Sequence, residues 1–103
     1  MKIVNLNHIG VLAICVKTRN YTEAARILRR RQPTVSITIR TLAKALGDPL
    51  FHQRRRRGTR RGSPEMIPTP LAIELAGLAW PLIDRVATLE AALINQLITN
   101  DTK

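Results

Sequence analysis

The sequence predicts a mainly α fold in which three short helices and a basic hairpin precede one long helix. Three observations carry that expectation. Apolar residues recur at three- and four-residue steps in three stretches before Gly47, an arginine-rich segment with turn residues follows, and a leucine seam then runs almost to the end of the chain. With 45% apolar residues but only 3% aromatics, the core has to be assembled from aliphatic side chains, which suits packed helices. At 103 residues there is material for one small core plus an extra element, because two separate cores would each be marginal.

The first helix is read from Leu6, Ile9, Leu12, Ala13 and Val16, which share one face. Asn20-Tyr21-Thr22 breaks that pattern, and Thr22 is the expected N-cap of a short second helix carrying Ala24, Ala25, Ile27 and Leu28. Its paired alanines let another helix approach closely, as a tight helix-turn-helix crossing requires. Arg29-Arg30-Arg31-Gln32 leads into Pro33, which has no amide hydrogen to lose in a first turn and so opens a third helix, about residues 33–46. Val35, Ile39, Leu42 and Leu46 form its expected buried face, and Gly47 is its stop. The opposite face carries Thr34, Ile37, Thr38, Thr41 and Lys44, flanked by Ser36 and Arg40. Many of these are β-branched, so packing rather than local propensity must hold the helix.

Six arginines between His52 and Ile67, interspersed with Gly58, Gly62 and Pro64, cannot belong to a core and suggest a hairpin or an extended loop, a wing. From Pro70 onward Leu71, Leu75, Leu78, Leu82, Val86, Leu89, Leu93 and Leu97 form the seam. Trp80-Pro81 leaves two arrangements open there, one kinked helix or two shorter helices meeting at the proline.

Seventeen Lys and Arg against seven Asp and Glu leave a net charge of +10, clustered and dominated by arginine. A surplus of that size attracts a polyanion, nucleic acid ahead of an anionic membrane surface. No apolar run approaches the ~20 residues of a spanning helix, and the first residues lack a signal-peptide pattern, so the expected location is cytoplasmic, at the nucleoid. Cys15 lies in an apolar series, and a lone cysteine forms no internal disulfide, so it reads as a buried structural thiol. There is no glycine-rich phosphate loop and no Cys or His spacing for a metal. His8 and His52 fall in separate elements as surface side chains, and Glu74, Asp84 and Glu90 suit the exposed face of the long helix. Catalysis, metal and cofactor are therefore not expected.

Three helices with a short turn before the third match the DNA-reading helix-turn-helix, whose last helix enters the major groove N-terminus first. Gln32, Pro33, Thr34, Ile37 and Thr38 are then the candidate base contacts: the Gln32 amide suits adenine, and methyl groups of Thr34, Ile37 and Thr38 suit thymine. Thr22, Arg31, Ser36 and Arg40, with Arg54, Arg55, Arg56, Arg57, Arg60 and Arg61 of the wing, are the candidate backbone contacts. Against this stands the bland reading, that these polar positions are simply solvated.

Asn5-Leu6, Asn20-Tyr21-Thr22-Glu23-Ala24-Ala25, Leu28, Gln32-Pro33-Thr34-Val35-Ser36, Ile39, Leu42, Leu46-Gly47 and Leu50-Phe51 followed by Arg54 resemble the signature of LysR-type bacterial transcription regulators. The resemblance covers nearly the whole chain. It implies dimeric binding to a partly symmetric promoter site, a linker helix beginning near Pro68-Thr69-Pro70 that pairs two subunits, and a small-molecule-sensing domain beyond that helix. The chain departs from the family pattern at Arg19-Asn20, where Gly-Ser is usual, at Arg31, where Ser is usual, at Ile37 and at Ala43. Its wing is also longer. The chain ends at Lys103, where the sensing domain is expected to begin, which leaves open a fragment or a naturally short protein.

The expected architecture is thus a winged helix-turn-helix, a three-helix core plus β-hairpin wing over residues 1–68, followed by a dimerisation (linker) helix over residues 69–103. Leu78, Leu82, Val86, Leu89 and Leu93 are the expected intersubunit contacts. The expected partners are double-stranded DNA and a second copy of the chain, with a tetramer for a full-length form, and no membrane or small-molecule ligand. The alternatives are a low-specificity architectural protein of the nucleoid, an RNA-binding protein, and a monomer whose long helix folds back at Trp80-Pro81.

Overall fold

A computed structural model describes residues 6–54 and 64–101. The element order is α1 (Leu6–Thr18), α2 (Tyr21–Leu28), α3 (Gln32–Leu46), β1 (Phe51–Arg54), β2 (Glu65–Pro68) and α4 (Pro70–Asp101).

α1 is the centre of the core. Val11, Leu12, Ala13 and Cys15 are all buried, with Ile9, Ile14 and Val16 half-buried. The expected single face of Ile9, Leu12, Ala13 and Val16 is therefore too narrow. α2 and α3 cover one side of α1 while α4 covers another, so Val11 and Cys15 are enclosed as well. His8 belongs to this helix too and is half-buried rather than at the surface. Burial pushes the Cys15 thiol up to about 12 from its ordinary value near 9, so it stays protonated and inert.

α2 begins one residue before the expected cap. Asn20 is the N-cap, with extended backbone (φ −151°, ψ 117°), and its side-chain oxygen accepts from the Glu23 amide at 2.9 Å. The reason lies in spacing, because Asn20 stands three residues before that otherwise orphaned amide and Thr22 stands one. Ala24 and Ala25 are buried, as the close crossing requires, but Ile27 is 44% exposed. Arg29 closes the helix in the left-handed conformation (φ 55°), a geometry unfavourable for a side chain with a Cβ.

α3 buries Val35, Ile39 and Leu42, while Leu46 is 40% exposed, contrary to its expected place on the buried face. Leu46 is the last helical residue before Gly47, which ends the helix at φ 78°. Pro33 is the second residue of α3 rather than the first.

β1 and β2 pair antiparallel, Phe51 opposite Pro68 and Arg54 opposite Glu65. The hairpin expected of the wing is therefore present at its base; its central residues 55–63 lie outside the described residues. Two contacts fix that base. The Met66 amide donates to the Arg19 carbonyl at 2.9 Å, and the Phe51 ring meets Tyr21 edge-on, centroids 5.8 Å apart.

Between the strands and α4, Thr69 is buried. Its hydroxyl donates toward the Pro49 carbonyl at 3.0 Å and accepts from the Ala72 amide at 3.3 Å, while its own amide donates to the Leu50 carbonyl at 2.9 Å. Thr69 is therefore both the N-cap of α4 and the clasp between β2 and the loop entering β1. α4 runs without a break through Pro81, so neither the paired shorter helices nor the folded-back arrangement is observed. Ala72, Ala76 and Ala79 form its buried line, beside half-buried Leu71 and Leu75. Lys17 of α1 places its ammonium 5.6 Å from the Trp80 ring.

Two consequences can be measured. Thr69→Ala should lower the free energy of unfolding by about 1–2 kcal/mol, and Thr69→Ser, which keeps the hydroxyl, by less; urea midpoints check both. Cys15 should resist alkylation in the native chain at pH 8 and react at once in denaturant. The unfolded chain loses the thiol proton near pH 9 and the folded chain only near 12, so this group withdraws stability as pH rises through that window.

Candidate nucleic-acid interface

Gln32, Pro33, Thr34 and Ile37 are all exposed, and Ile37 leaves 53% of its surface in solvent on the face opposite Val35 and Ile39. Thr38 is half-buried and its hydroxyl donates to the Thr34 carbonyl at 2.9 Å; Ser36 likewise donates to the Pro33 carbonyl at 3.2 Å. Both hydroxyl protons are thus engaged by the helix itself. What these side chains can still offer a ligand is acceptor lone pairs and, for Thr38, a methyl group.

The N-terminus of α3 carries no side-chain cap and no acidic residue in its first turn. The backbone carbonyl of Arg31 accepts from Thr34 and Val35 at 3.0 and 3.2 Å, and no acidic side chain in the first turn offsets the positive pole of the helix. Arg29, Arg30 and Arg31 stand exposed at this end, Arg30 donating to the Asn7 side-chain oxygen. The interface is therefore electropositive where α3 begins. On α2, Thr22 is exposed. Hydrogen bonds from Arg26 hold the Glu23 carboxyl below its ordinary range, and the two form an exposed ion pair.

Arg40 is exposed near the middle of α3, and Arg54 is exposed at the end of β1 beside His52 and Gln53. Arg55, Arg56, Arg57, Arg60 and Arg61 lie outside the described residues. Among the described residues no group of three His, Cys, Asp or Glu side chains converges, and no helix is long and apolar enough to cross a membrane.

On α4, Leu78, Leu82, Leu89 and Leu93 are 66%, 48%, 57% and 55% exposed, and Val86 is half-buried. The sequence reading missed a feature beside them. An apolar groove of roughly 200 Å³ lies where α1, α3 and α4 meet, lined by Ile9, Leu12, Leu42, Leu46, Leu78 and Leu82 among others. It also missed the left-handed residues Arg19 and Arg29, for which no sequence signal exists, since neither is Gly or Asn.

Three helices with a short turn before the third, closed by a two-stranded antiparallel hairpin, define a winged helix-turn-helix protein. Residues 6–72 match the family described as bacterial regulatory helix-turn-helix protein, lysR family. The chain belongs to that family. The HTH-type transcriptional regulator LinR of Sphingobium indicum is 37% identical over 81 residues, 79% of this chain and 24% of that protein. The HTH-type transcriptional activator CmpR of a Synechocystis species is 42% identical over 53 residues, 52% of this chain and 17% of that protein. The chain thus spans a quarter or less of these relatives' length. Among solved structures, BenM DBD in complex with catB site 1 DNA superposes with a TM-score of 0.68 at 25% identity, covering 89% of this chain and 93% of that one. A probable transcriptional regulator from Pseudomonas aeruginosa gives a TM-score of 0.67 at 26% identity, covering 82% of this chain and 26% of that one.

Proposed function

We propose that this chain is the sequence-specific DNA-binding module of a cytoplasmic transcription regulator and meets promoter DNA as a homodimer, with α3 in the major groove. The observation that carries this reading is the outer face of α3. An exposed Ile37 stands with Gln32 and Thr34 near an uncapped, arginine-flanked helix N-terminus, which puts an apolar contact and hydrogen-bonding groups beside positive charge. The likeness to the BenM DBD, solved on DNA, supports it.

In this reading Gln32, Pro33, Thr34, Ile37 and Thr38 meet base edges. Thr22, Arg31, Ser36, Arg40 and the arginines of the wing meet the backbone or the neighbouring minor groove. Residues 1–68 form the DNA-binding unit, and residues 69–103 pair two subunits through Leu78, Leu82, Val86, Leu89 and Leu93. α4 supports the pairing by its length, since 32 helical residues span about 48 Å and only its first turns are covered by the domain. Antiparallel α4 helices hold two copies of α3 on one face of the duplex, spaced for half-sites a whole number of helical turns apart. The module itself needs no cofactor and performs no catalysis.

Replacing Gln32 or Thr34 by alanine should relax preference at particular base pairs, each by about 1–3 kcal/mol. Replacing Arg55 and Arg56 should instead weaken binding to every sequence and flatten its salt dependence. Competition between selected and random DNA measures both, and equal losses on the two DNAs from both kinds of variant refute the division. An architectural protein would show no preference between those DNAs. For the pairing, wild type should sediment as a dimer at low micromolar concentration and the Val86→Glu, Leu89→Glu double variant as a monomer.

A further inference from the structure

Two arginines hold left-handed backbone among the described residues, Arg19 and Arg29, each at φ 55°. That conformation crowds a Cβ against the neighbouring carbonyl, and α3 meets the same need with a glycine, Gly47 at φ 78°. Arg29 belongs to the arginine cluster where α3 begins. Arg19 lies elsewhere, at the turn between α1 and α2, and none of the contacts proposed above uses it.

The turn is fixed by its backbone. The Arg19 amide donates to the Cys15 carbonyl at 2.9 Å, which closes α1, and the Arg19 carbonyl accepts from the Met66 amide at 2.9 Å, which ties the turn to β2. Those two bonds need only the main chain, so a glycine would make them without the strain. What the arginine adds is its side chain, and that side chain is exposed. Among the described residues the ion pair is Arg26 with Glu23, so no carboxylate answers the Arg19 guanidinium. Strain held for a charge that the fold does not use points to a ligand of opposite charge.

The place of Arg19 identifies that ligand. β2 lies between the turn and β1: on one edge Met66 reaches Arg19, and on the other it stands opposite Gln53, beside the pair of Arg54 with Glu65. Two strand spacings of roughly 5 Å put the Arg19 backbone about 10 Å from that of Gln53 and Arg54. We infer that Arg19 holds a phosphate of the DNA backbone at the base of the wing, on the side of β2 away from β1. This rests on the DNA-binding reading above and adds to it an anchor that the hairpin itself does not supply. The bond from Met66 makes the turn and the wing base one unit, so a phosphate held there fixes where the wing meets the duplex. A phosphate carries no base identity, and the contact strengthens binding to every sequence alike.

The test sets stability and binding against each other. Arg19→Gly should leave the urea midpoint at or above that of wild type, because the strain is relieved and both backbone bonds remain. It should nonetheless weaken binding about fivefold or more per bound subunit, equally on a duplex selected by the wild-type chain and on random duplex, and reduce the slope of log K against log salt by about 1 per bound subunit. Arg19→Gln keeps a Cβ at the strained position; it should lose the same affinity and gain no stability. Lys44→Gln removes one charge in the last turn of α3, away from the helix start, and should change affinity by less than about twofold, the effect of net charge by itself. If Arg19→Gly does not fold, Arg19→Gln compared with Lys44→Gln decides. If wild type binds no DNA, the DNA-binding reading fails and takes this inference with it. If wild type binds its selected duplex, yet the Arg19 variants bind as tightly as Lys44→Gln or lose affinity on the selected duplex alone, that reading stands and the phosphate contact at Arg19 is overturned.

Discussion

Thr69 joins the parts of this fold that the chain makes separately. It is the buried polar residue among the described side chains, and it satisfies three partners: the carbonyls of Pro49 and Leu50, where the chain leaves α3 for β1, and the amide of Ala72 in the first turn of α4. A buried hydroxyl without partners would destabilise the core; with them it fixes where the wing ends and which way α4 departs. Because α4 starts from that point, Ala72, Ala76 and Ala79 land on α1, and everything further along the helix is carried away from the domain.

α1 is held from two sides as a result. α2 and α3 close on it through Ala24, Ala25, Val35 and Ile39, and α4 closes on it through its alanines. Small residues at both crossings shorten the distance between helix axes, which is how a chain so poor in aromatics encloses Val11 and Cys15. α3 depends most on this arrangement. Its outer face is crowded with β-branched residues, so its conformation is secured by the buried side, Val35, Ile39 and Leu42.

Charge and apolar surface are divided along the molecule. Exposed arginines gather where α3 begins and at the end of β1, while α4 beyond the domain carries exposed leucines and isoleucines. Positive charge and apolar surface thus occupy different parts of the described molecule. Leu46 lies where the two halves meet, at the last turn of the helix that begins among the arginines.

The helices, their order and the basic hairpin were legible in the sequence, because apolar periodicity and turn residues are local signals. Ala24-Ala25, Gln32-Pro33 and Leu46-Gly47 each report a constraint that acts within a few residues of itself. Its limits are instructive at particular positions. Thr22 and Asn20 both have the chemistry of a cap, and only the path of the backbone gives the Glu23 amide to Asn20. Leu46 fits the buried period of α3, yet period says which face a residue is on and not how far the neighbouring helix extends to cover it. Pro81 removes one hydrogen bond from α4 without ending it, and Trp80 beside it rests against Lys17 of α1. The same leucine series on α4 is core at Leu71 and Leu75 and open surface at Leu89 and Leu93. Sequence determined that one face of each helix must be covered; tertiary structure alone decided by what, because cover depends on distances between elements far apart in the chain.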